Sequence, residues 1–243
     1  MQTKTTHNGV IAFCQDTPTS ISPEWFTVDF WRANNAVVGS SKGRYTTWFV
    51  AFEHNHWVLR HYWRGGFMAK FSKDAYVYTG LENTRAMAEL RLLDMLYRED
   101  FAVPKPIAAN IARNGVFYRA DIIIERVDGA EDLVARLAKE PMSSAQWQQL
   151  GALIAKFHQR GVYHADLNAK NILITADKFY LIDFDRGEVR SPARTWQQAN
   201  LNRLLRSFNK EKTKLTSLAF SLEDWQMLNS GYQAHMAKDS GLV

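Results

Sequence analysis

Apolar residues recur with helical spacing in one stretch near the middle of the chain. Within residues 84–98 the apolar side chains are three or four positions apart, which places them on one face of a helix. They are Ala86, Leu90, Leu93 and Tyr97. Pro104 and Pro106 come soon afterwards, where a helix cannot continue. The pattern therefore predicts a helix over residues 84–98.

A clearer helical pattern covers residues 143–160. Its buried stripe consists of Trp147, Leu150, Ile154 and Phe157. Ser143 and Gln146 have the spacing of a capping box, in which each side chain bonds the other residue's backbone N–H at the start of a helix. Gly161 follows at the position where many helices end on a left-handed residue. These signals predict a helix whose two ends are both defined.

Segments rich in β-branched and aromatic residues predict strands. Three strands are predicted over residues 36–38, 46–52 and 57–62. Two short strands are predicted around Gly115 and over residues 119–121, and residues 122–124 form their apolar core. A last pair is predicted over residues 172–175 and 179–183. Helical spacing returns after Arg194, and a last helix is expected to begin at Ser221 with Asp224. The apolar face of the first of these helices consists of Leu201, Leu204, Leu205 and Phe208. The first 30 residues are turn-rich, and no element is predicted there.

The order of these elements predicts an α+β protein with two lobes. Residues 1–127 should form a small antiparallel β lobe with one helix, and residues 128–243 should form a mainly helical lobe.

Composition narrows the class of protein. The chain has 243 residues, 46% of them hydrophobic and 23% charged, which excludes a disordered or collagen-like chain. Its single cysteine, Cys14, excludes a disulfide framework and a multi-cysteine metal site. The apolar runs are shorter than the roughly 20 residues that a membrane-spanning helix requires, and no signal peptide is evident. We therefore expect a cytoplasmic protein.

Positive charge is concentrated in two segments. Residues 57–73 contain four basic and no acidic residues, and residues 186–214 contain eight basic and two acidic ones, within a net charge of +5 for the whole chain. Locally basic segments favour an anionic partner, which is a phosphate compound, a nucleic acid or an anionic membrane. A solvated basic surface is the alternative.

The candidate chemistry lies between residues 164 and 185. Asp166 and Asn171 are five residues apart in a loop that leads into a strand, and Asp183 ends the next strand. Hairpin pairing of the two strands would bring Asn171 and Asp183 to the same end. Two such oxygen ligands, completed by phosphate oxygens, suit Mg²⁺, and Asp166 remains to accept a hydrogen bond from an attacking hydroxyl. An ordinary capped loop is the alternative, because Asp and Asn are common in turns.

The joint spacing of His-x-Asp, Asn five residues later and Asp-Phe after twelve more resembles the protein kinase-like superfamily. Ala165 and Asp185 stand where protein kinases have Arg and Gly, and only 77 residues follow Asp166, too few for a protein kinase's substrate lobe. More narrowly, residues 30–215 are similar to the lipopolysaccharide kinase family and its Kdo kinases. The matching segments are 59–66, 88–93, 103–106, 125–126, 164–173 and 182–187.

This resemblance implies a two-lobed protein kinase-like fold that uses ATP and Mg²⁺. Asp166 would be the catalytic residue, Asn171 and Asp183 would bind the metal, and His164 would brace the loop.

The nucleotide-binding residues follow from the same resemblance. Gly39 and Gly43 would bracket a Gly-rich loop over the phosphates. Arg60 would replace the usual lysine, with Lys70 as its rival, and Glu89 would be the ion-pair partner. The backbone of the segment from Glu125 to Val127 would hold the adenine.

The implied acceptor is the sugar Kdo on a lipid A precursor, at the cytoplasmic face of the bacterial inner membrane. The protein would be peripheral, with Arg203, Arg206 and Lys210 directed towards an anionic membrane surface. Two alternatives remain open: a heptose or aminoglycoside phosphotransferase, and a non-catalytic pseudokinase that serves as a binding module. No nucleic-acid-binding signature is present in the sequence, so we expect no nucleic acid partner.

Overall fold

The computed structural model describes residues 1–15, 17–42, 45–64, 73–176 and 178–239. The chain divides into two compact units, Met1–Asp128 and Gly129–Val243. The boundary expected from the sequence, between residues 127 and 128, lies one residue before this division. Mixed α and antiparallel β structure in the two units agrees with the predicted α+β class.

The first unit is built on one antiparallel sheet. Its strands are β1 (Gln2–Thr6), β2 (Gly9–Phe13), β3 (Val37–Lys42), β4 (Thr46–Phe52), β5 (Asn55–His61), β6 (Tyr76–Val77), β7 (Pro106–Asn114) and β8 (Phe117–Glu125). The order across the sheet is β1-β2-β7-β8-β5-β4-β3, and β6 pairs with β8. Two helices accompany the sheet where the sequence predicted one. They are α1 (Val28–Ala33) and α2 (Arg85–Arg98), together with short 3-10 turns at Pro23–Phe26 and Leu81–Asn83.

The core of this sheet is aromatic. Trp25 and Trp31, from the segment before and within α1, lie 5.7 Å and 6.1 Å from the ring of Trp57 on β5. All three indoles are buried, so the α1 segment is fixed to the sheet by large apolar contacts.

The structure of the first unit differs from the sequence analysis in two places. The turn-rich start of the chain forms the β1–β2 hairpin. This hairpin is joined to the sheet by the pairing of β2 with β7, about a hundred residues later in the chain. The expected short strands around Gly115 are in fact two nine-residue strands, β7 and β8. Gly115 lies in the turn that joins them, with a φ of +59° that favours glycine.

The second unit is mainly helical. Its elements are β9 (Glu131–Asp132), α3 (Leu133–Lys139), α4 (Ser144–Gln159), β10 (Val162–Tyr163), a 3-10 turn (Ala169–Asn171), β11 (Ile172–Ile174), β12 (Phe179–Leu181), β13 (Glu188–Val189), α5 (Arg194–Lys214) and α6 (Leu222–Asp239). β11 pairs with β12 and β9, and β10 pairs with β13.

Helices α4 and α6 begin as their sequences predict, whereas Tyr97, expected on the apolar face of α2, is exposed. The capping box of Ser143 and Gln146 is confirmed, since both of its reciprocal bonds are present at the start of α4. Helices α4 and α6 approach so closely that a Cβ at Gly151 would overlap the carbonyl of Leu228. Glycine is therefore required at this contact.

Candidate active site

The loop before β11 is held in shape by its own side chains. Asn168 caps the 3-10 turn, and its Oδ1 accepts hydrogen bonds from the N–H groups of Lys170, at 2.9 Å, and Asn171, at 3.2 Å. Its Nδ2 donates to the carbonyl of Asp166, at 3.0 Å, and to that residue's Oδ2, at 3.2 Å. Asn168 therefore fixes both the turn and the side chain of Asp166.

His164 braces the same loop from inside the unit. Its Nε2 lies 2.9 Å from the carbonyl of Ile182, and its Nδ1 accepts the N–H of Asp166 at 3.1 Å. A carbonyl can only accept and an N–H can only donate, so the ring is neutral with its proton on Nε2. Burial lowers the pKa of His164, which agrees with this neutral form.

Asn171 is oriented by Asp166, which lies five residues earlier in the motif. Its Nδ2 donates to the carbonyl of Asp166 at 3.0 Å. Because the NH₂ end of the amide is used in this way, the Oδ1 end is turned away from Asp166. The side chain thus offers an oxygen, which is the atom that a hard cation requires.

The β11–β12 hairpin places Asn171 and Asp183 at one end, as the sequence predicts. Ile172 pairs with Leu181, and the N–H of Ile182 donates to the carbonyl of Asn171 at 3.0 Å. Asp183 follows directly with a φ of +64°, a left-handed value that is uncommon for a residue other than glycine.

The side chain after Asp183 anchors this bend. Phe184 is fully buried, and its ring lies 4.8 Å from that of His164 and 5.9 Å from that of Phe157 on α4. The Phe of the motif therefore fixes the backbone from which Asp183 projects.

Helix α5 carries a polar stripe that contacts the loop, and sequence reasoning missed it. Its members are Asn200, Arg203, Ser207 and Glu211. Buried Asn200 bonds both the N–H and the carbonyl of His164. Ser207 accepts the N–H of Ala169 at 3.1 Å, and Glu211 lies 3.6 Å from Lys170. Polar residues at intervals of three and four beside the apolar stripe are the signal that could have revealed this face.

Arg203 is the stripe residue that contacts the candidate catalytic side chain. Its Nη2 and Nε lie 2.9 Å and 3.2 Å from Oδ1 of Asp166. The guanidinium of Arg203, expected from the sequence to face lipid, is thus paired with a carboxylate of its own chain, and its side chain is 42% exposed. Arg206 and Lys210, on the same helix, are exposed.

In the first unit, β5 and α2 bring Arg60 and Glu89 together. Nη2 of Arg60 lies 2.5 Å from Oε2 of Glu89, and the hydroxyl of Tyr62 donates to the same oxygen at 2.6 Å. The Glu89 side chain is only 1% exposed, so its charge is compensated by a cation and a hydroxyl. Lys70, the rival of Arg60, lies outside the described residues.

The predicted hinge lies at the end of β8. The N–H of Glu125 donates to the carbonyl of Lys105, and the N–H of Arg126 donates to the carbonyl of His56, both at 2.8 Å. Val127 follows these two residues and lies outside any strand.

Gly39 and Gly43 are the glycines expected to bracket the Gly-rich loop. Gly39 lies inside β3, opposite Phe49 and next to a bulge, because residues 39–42 continue the ladder with β4. A Cβ at Gly39 would lie 3.3 Å from the Phe49 ring, so this glycine makes room for a neighbouring side chain. Gly43 lies outside the described residues.

A solved structure shares the fold of this chain. The chain matches a structure titled "WaaP in complex with acyl carrier protein" with a TM-score of 0.54 and 15% identity, over 87% of each chain. The fold is therefore that of the WaaP chain in this structure.

The sequence comparisons identify the family. The profile of the lipopolysaccharide kinase (Kdo/WaaP) family matches residues 28–232, so the chain belongs to this family. It is 44% identical to a 3-deoxy-D-manno-octulosonic acid kinase of Mannheimia succiniciproducens, over 86% of this chain and 90% of that protein. It is 43% identical to one of Vibrio vulnificus, over 93% and 96%. The family resemblance that the motifs indicate is confirmed.

Within the described part of the chain, no helix has the length and apolar character needed to cross a membrane.

Proposed function

We propose that the protein is an ATP-dependent kinase that phosphorylates a hydroxyl of Kdo on a lipid A precursor. The observation that carries this proposal is the fixed geometry of Asp166 and Asn171, whose side chains are oriented by bonds within one loop. Relatives named 3-deoxy-D-manno-octulosonic acid kinase, matched over most of both chains, support the choice of acceptor.

Asp166 is the catalytic residue in this proposal. Its carboxylate is half exposed and accepts bonds from Asn168 and Arg203, which hold it in one orientation. An acceptor hydroxyl that approaches this carboxylate donates a hydrogen bond to it and becomes a better nucleophile as the proton leaves. Most of the acceleration then comes from positioning and from neutralising charge.

The donor set at the hairpin end fits a magnesium ion. Oδ1 of Asn171 and the carboxylate of Asp183 are the oxygens that would hold it, because the amide nitrogen of Asn171 is already bonded to Asp166. When bound, Mg²⁺ would neutralise the charge that develops on the transferred phosphate.

The first unit would hold the nucleotide. Arg60, kept in place by buried Glu89, offers a guanidinium to phosphate oxygens. The N–H of Val127 is the hinge group that we assign to adenine, since those of Glu125 and Arg126 are bonded within the unit.

We assign the protein to the cytoplasmic face of the inner membrane as a peripheral enzyme. Its proposed acceptor is a glycolipid, so the enzyme must reach the membrane surface. Arg206 and Lys210 are exposed on α5, and cations near an anionic surface each contribute about 1 kcal/mol to binding. Arg203, the third residue of the set expected from the sequence, is paired with Asp166.

The test is the mass of the lipid product after incubation with ATP and Mg²⁺. Kdo-bearing lipid A precursor, a heptose and an aminoglycoside serve as parallel acceptors. A mass increase of one phosphate on the Kdo lipid is expected. Phosphate transfer to the heptose or the aminoglycoside instead, or to none of the three, would contradict the proposal.

A further inference from the structure

Arg203 contacts the side chain of Asp166, whereas its neighbours on α5 contact the loop backbone. The loop is already fastened to α5 by Asn200 on one side and Ser207 on the other, both bonded to loop backbone. Arg203 lies between them in the stripe and bonds a side chain instead, the carboxylate proposed to meet the acceptor. Its own side chain is 42% exposed, and that of Asp166 is 47% exposed.

The contact uses only part of the guanidinium. Nε and Nη2 both face the single oxygen Oδ1 of Asp166, so Asp166 occupies one edge of the planar group. The edge that carries Nη1 is not part of this contact. A guanidinium has five N–H donors in a fixed fork, and such a fork binds carboxylates through two parallel bonds. The remaining edge of Arg203 has the donors to hold a second anion beside Asp166.

The chemistry of the proposed acceptor supplies that anion. An octulosonic acid carries a carboxylate on the same sugar whose hydroxyl is to be phosphorylated. A hydroxyl that donates to Asp166 lies about 3 Å from it, so a carboxylate on that ring comes close to Arg203. Without a cation between them, the two carboxylates would repel each other.

We propose that Arg203 binds the carboxylate of the acceptor sugar and so selects acidic sugars over neutral ones. This inference rests on the proposed function. It makes Arg203 a specificity-determining residue with two anionic neighbours, one from the protein and one from the substrate.

The experiment compares two acceptors that differ only in this carboxylate. They are the Kdo-bearing lipid A precursor and its carboxyl methyl ester, in detergent solution. For the parent we expect kcat/KM to fall about 10- to 100-fold on the ester, the range of one charge-assisted hydrogen bond. For Arg203→Ala we expect low and nearly equal values on both acceptors, and for Arg203→Lys a partial preference for the acid. Arg98→Ala removes another exposed arginine that is paired with an aspartate, Asp94, and should keep the parent's preference.

A purely structural role gives a different pattern. If Arg203 only holds Asp166, the alanine variant loses kcat equally on both acceptors and keeps the parent's preference for the acid, which overturns this inference while the proposed function stands. Equal use of acid and ester by the parent overturns it as well. A parent that phosphorylates neither acceptor contradicts the proposed function, and this inference with it. Should the alanine variant fail to fold, the lysine variant answers the same question.

Discussion

The side-chain amide of Asn200 bonds both backbone groups of His164. Its Oδ1 accepts the N–H at 3.3 Å, and its Nδ2 donates to the carbonyl at 3.1 Å. Asn200 and His164 are both buried, so neither backbone group has water as a substitute partner. One residue of α5 thus sets the position of the loop that carries Asp166.

Replacing Asn200 with alanine should lower both stability and activity. The change leaves a buried N–H and a buried carbonyl without partners, and we expect the free energy of unfolding to fall by about 2 kcal/mol or more. Urea unfolding measures this loss, and kcat should fall with it. Asn202→Ala, at an exposed position two residues on, is the control and should change little. Equal effects of the two substitutions would contradict the role of Asn200.

Replacing Arg60 with alanine should raise the KM for ATP by about tenfold or more, because a charge-assisted contact to phosphate is lost. The change also leaves the charge of Glu89 buried, which lowers stability. The double variant Arg60→Ala, Glu89→Gln separates the two effects, since it should regain stability and not the affinity for ATP. Lys70→Ala should matter less than Arg60→Ala in steady-state kinetics. The reverse ranking would move the phosphate-binding role to Lys70.

The long elements of the fold were predictable because their signals are local. Apolar periodicity and the capping box of Ser143 define α4 without help from the rest of the chain. The β1–β2 hairpin could not be predicted in this way. β1 is exposed or half exposed along its length and so shows no buried alternation, and the sheet is completed by pairing with distant β7.

The same difference between local and distant contacts decides which parts of the site could be predicted. The motif spacing predicts the hairpin between Asn171 and Asp183, because the loop and the hairpin are continuous in sequence. Arg203 could not be assigned from the sequence, since its partner lies 37 positions away. In the sequence, Arg203 lies away from the apolar face of its helix, and this position favoured a lipid contact. Only the tertiary structure shows the carboxylate of Asp166 beside it.

Replacing Asp183 with asparagine should weaken the response to Mg-ATP more than it alters the fold. A ligand at about 100 times its Kd stabilises the native state by about 2.7 kcal/mol, which corresponds to roughly 5 °C or more in a chain of this size. A thermal-shift assay should show this rise for the parent and much less for Asp183→Asn. Asp29→Asn changes an exposed carboxylate on α1 and should respond as the parent does. A full rise in Asp183→Asn would contradict the assigned metal ligand.

Reversing the charge of Arg206 and Lys210 together should abolish sedimentation with anionic liposomes. Each cation is worth about 1 kcal/mol near such a surface, and the attraction weakens as salt is added. The variant should keep its affinity for ATP. The control reverses Arg98 and Lys139, two exposed cations on other helices, and should sediment as the parent does. If both variants bind liposomes equally well, α5 is not the docking surface.

The most direct test of the account is phosphate transfer from labelled ATP to the Kdo-bearing lipid, measured for the parent and for Asp166→Ala. A catalytic base contributes about 100-fold or more, so the variant should lose at least that much turnover while it still binds ATP. Asp29→Ala is the matched control and should keep the parent's rate. Near-normal turnover in Asp166→Ala, with the label on the Kdo lipid, would contradict the central claim that this loop carries the catalytic residue.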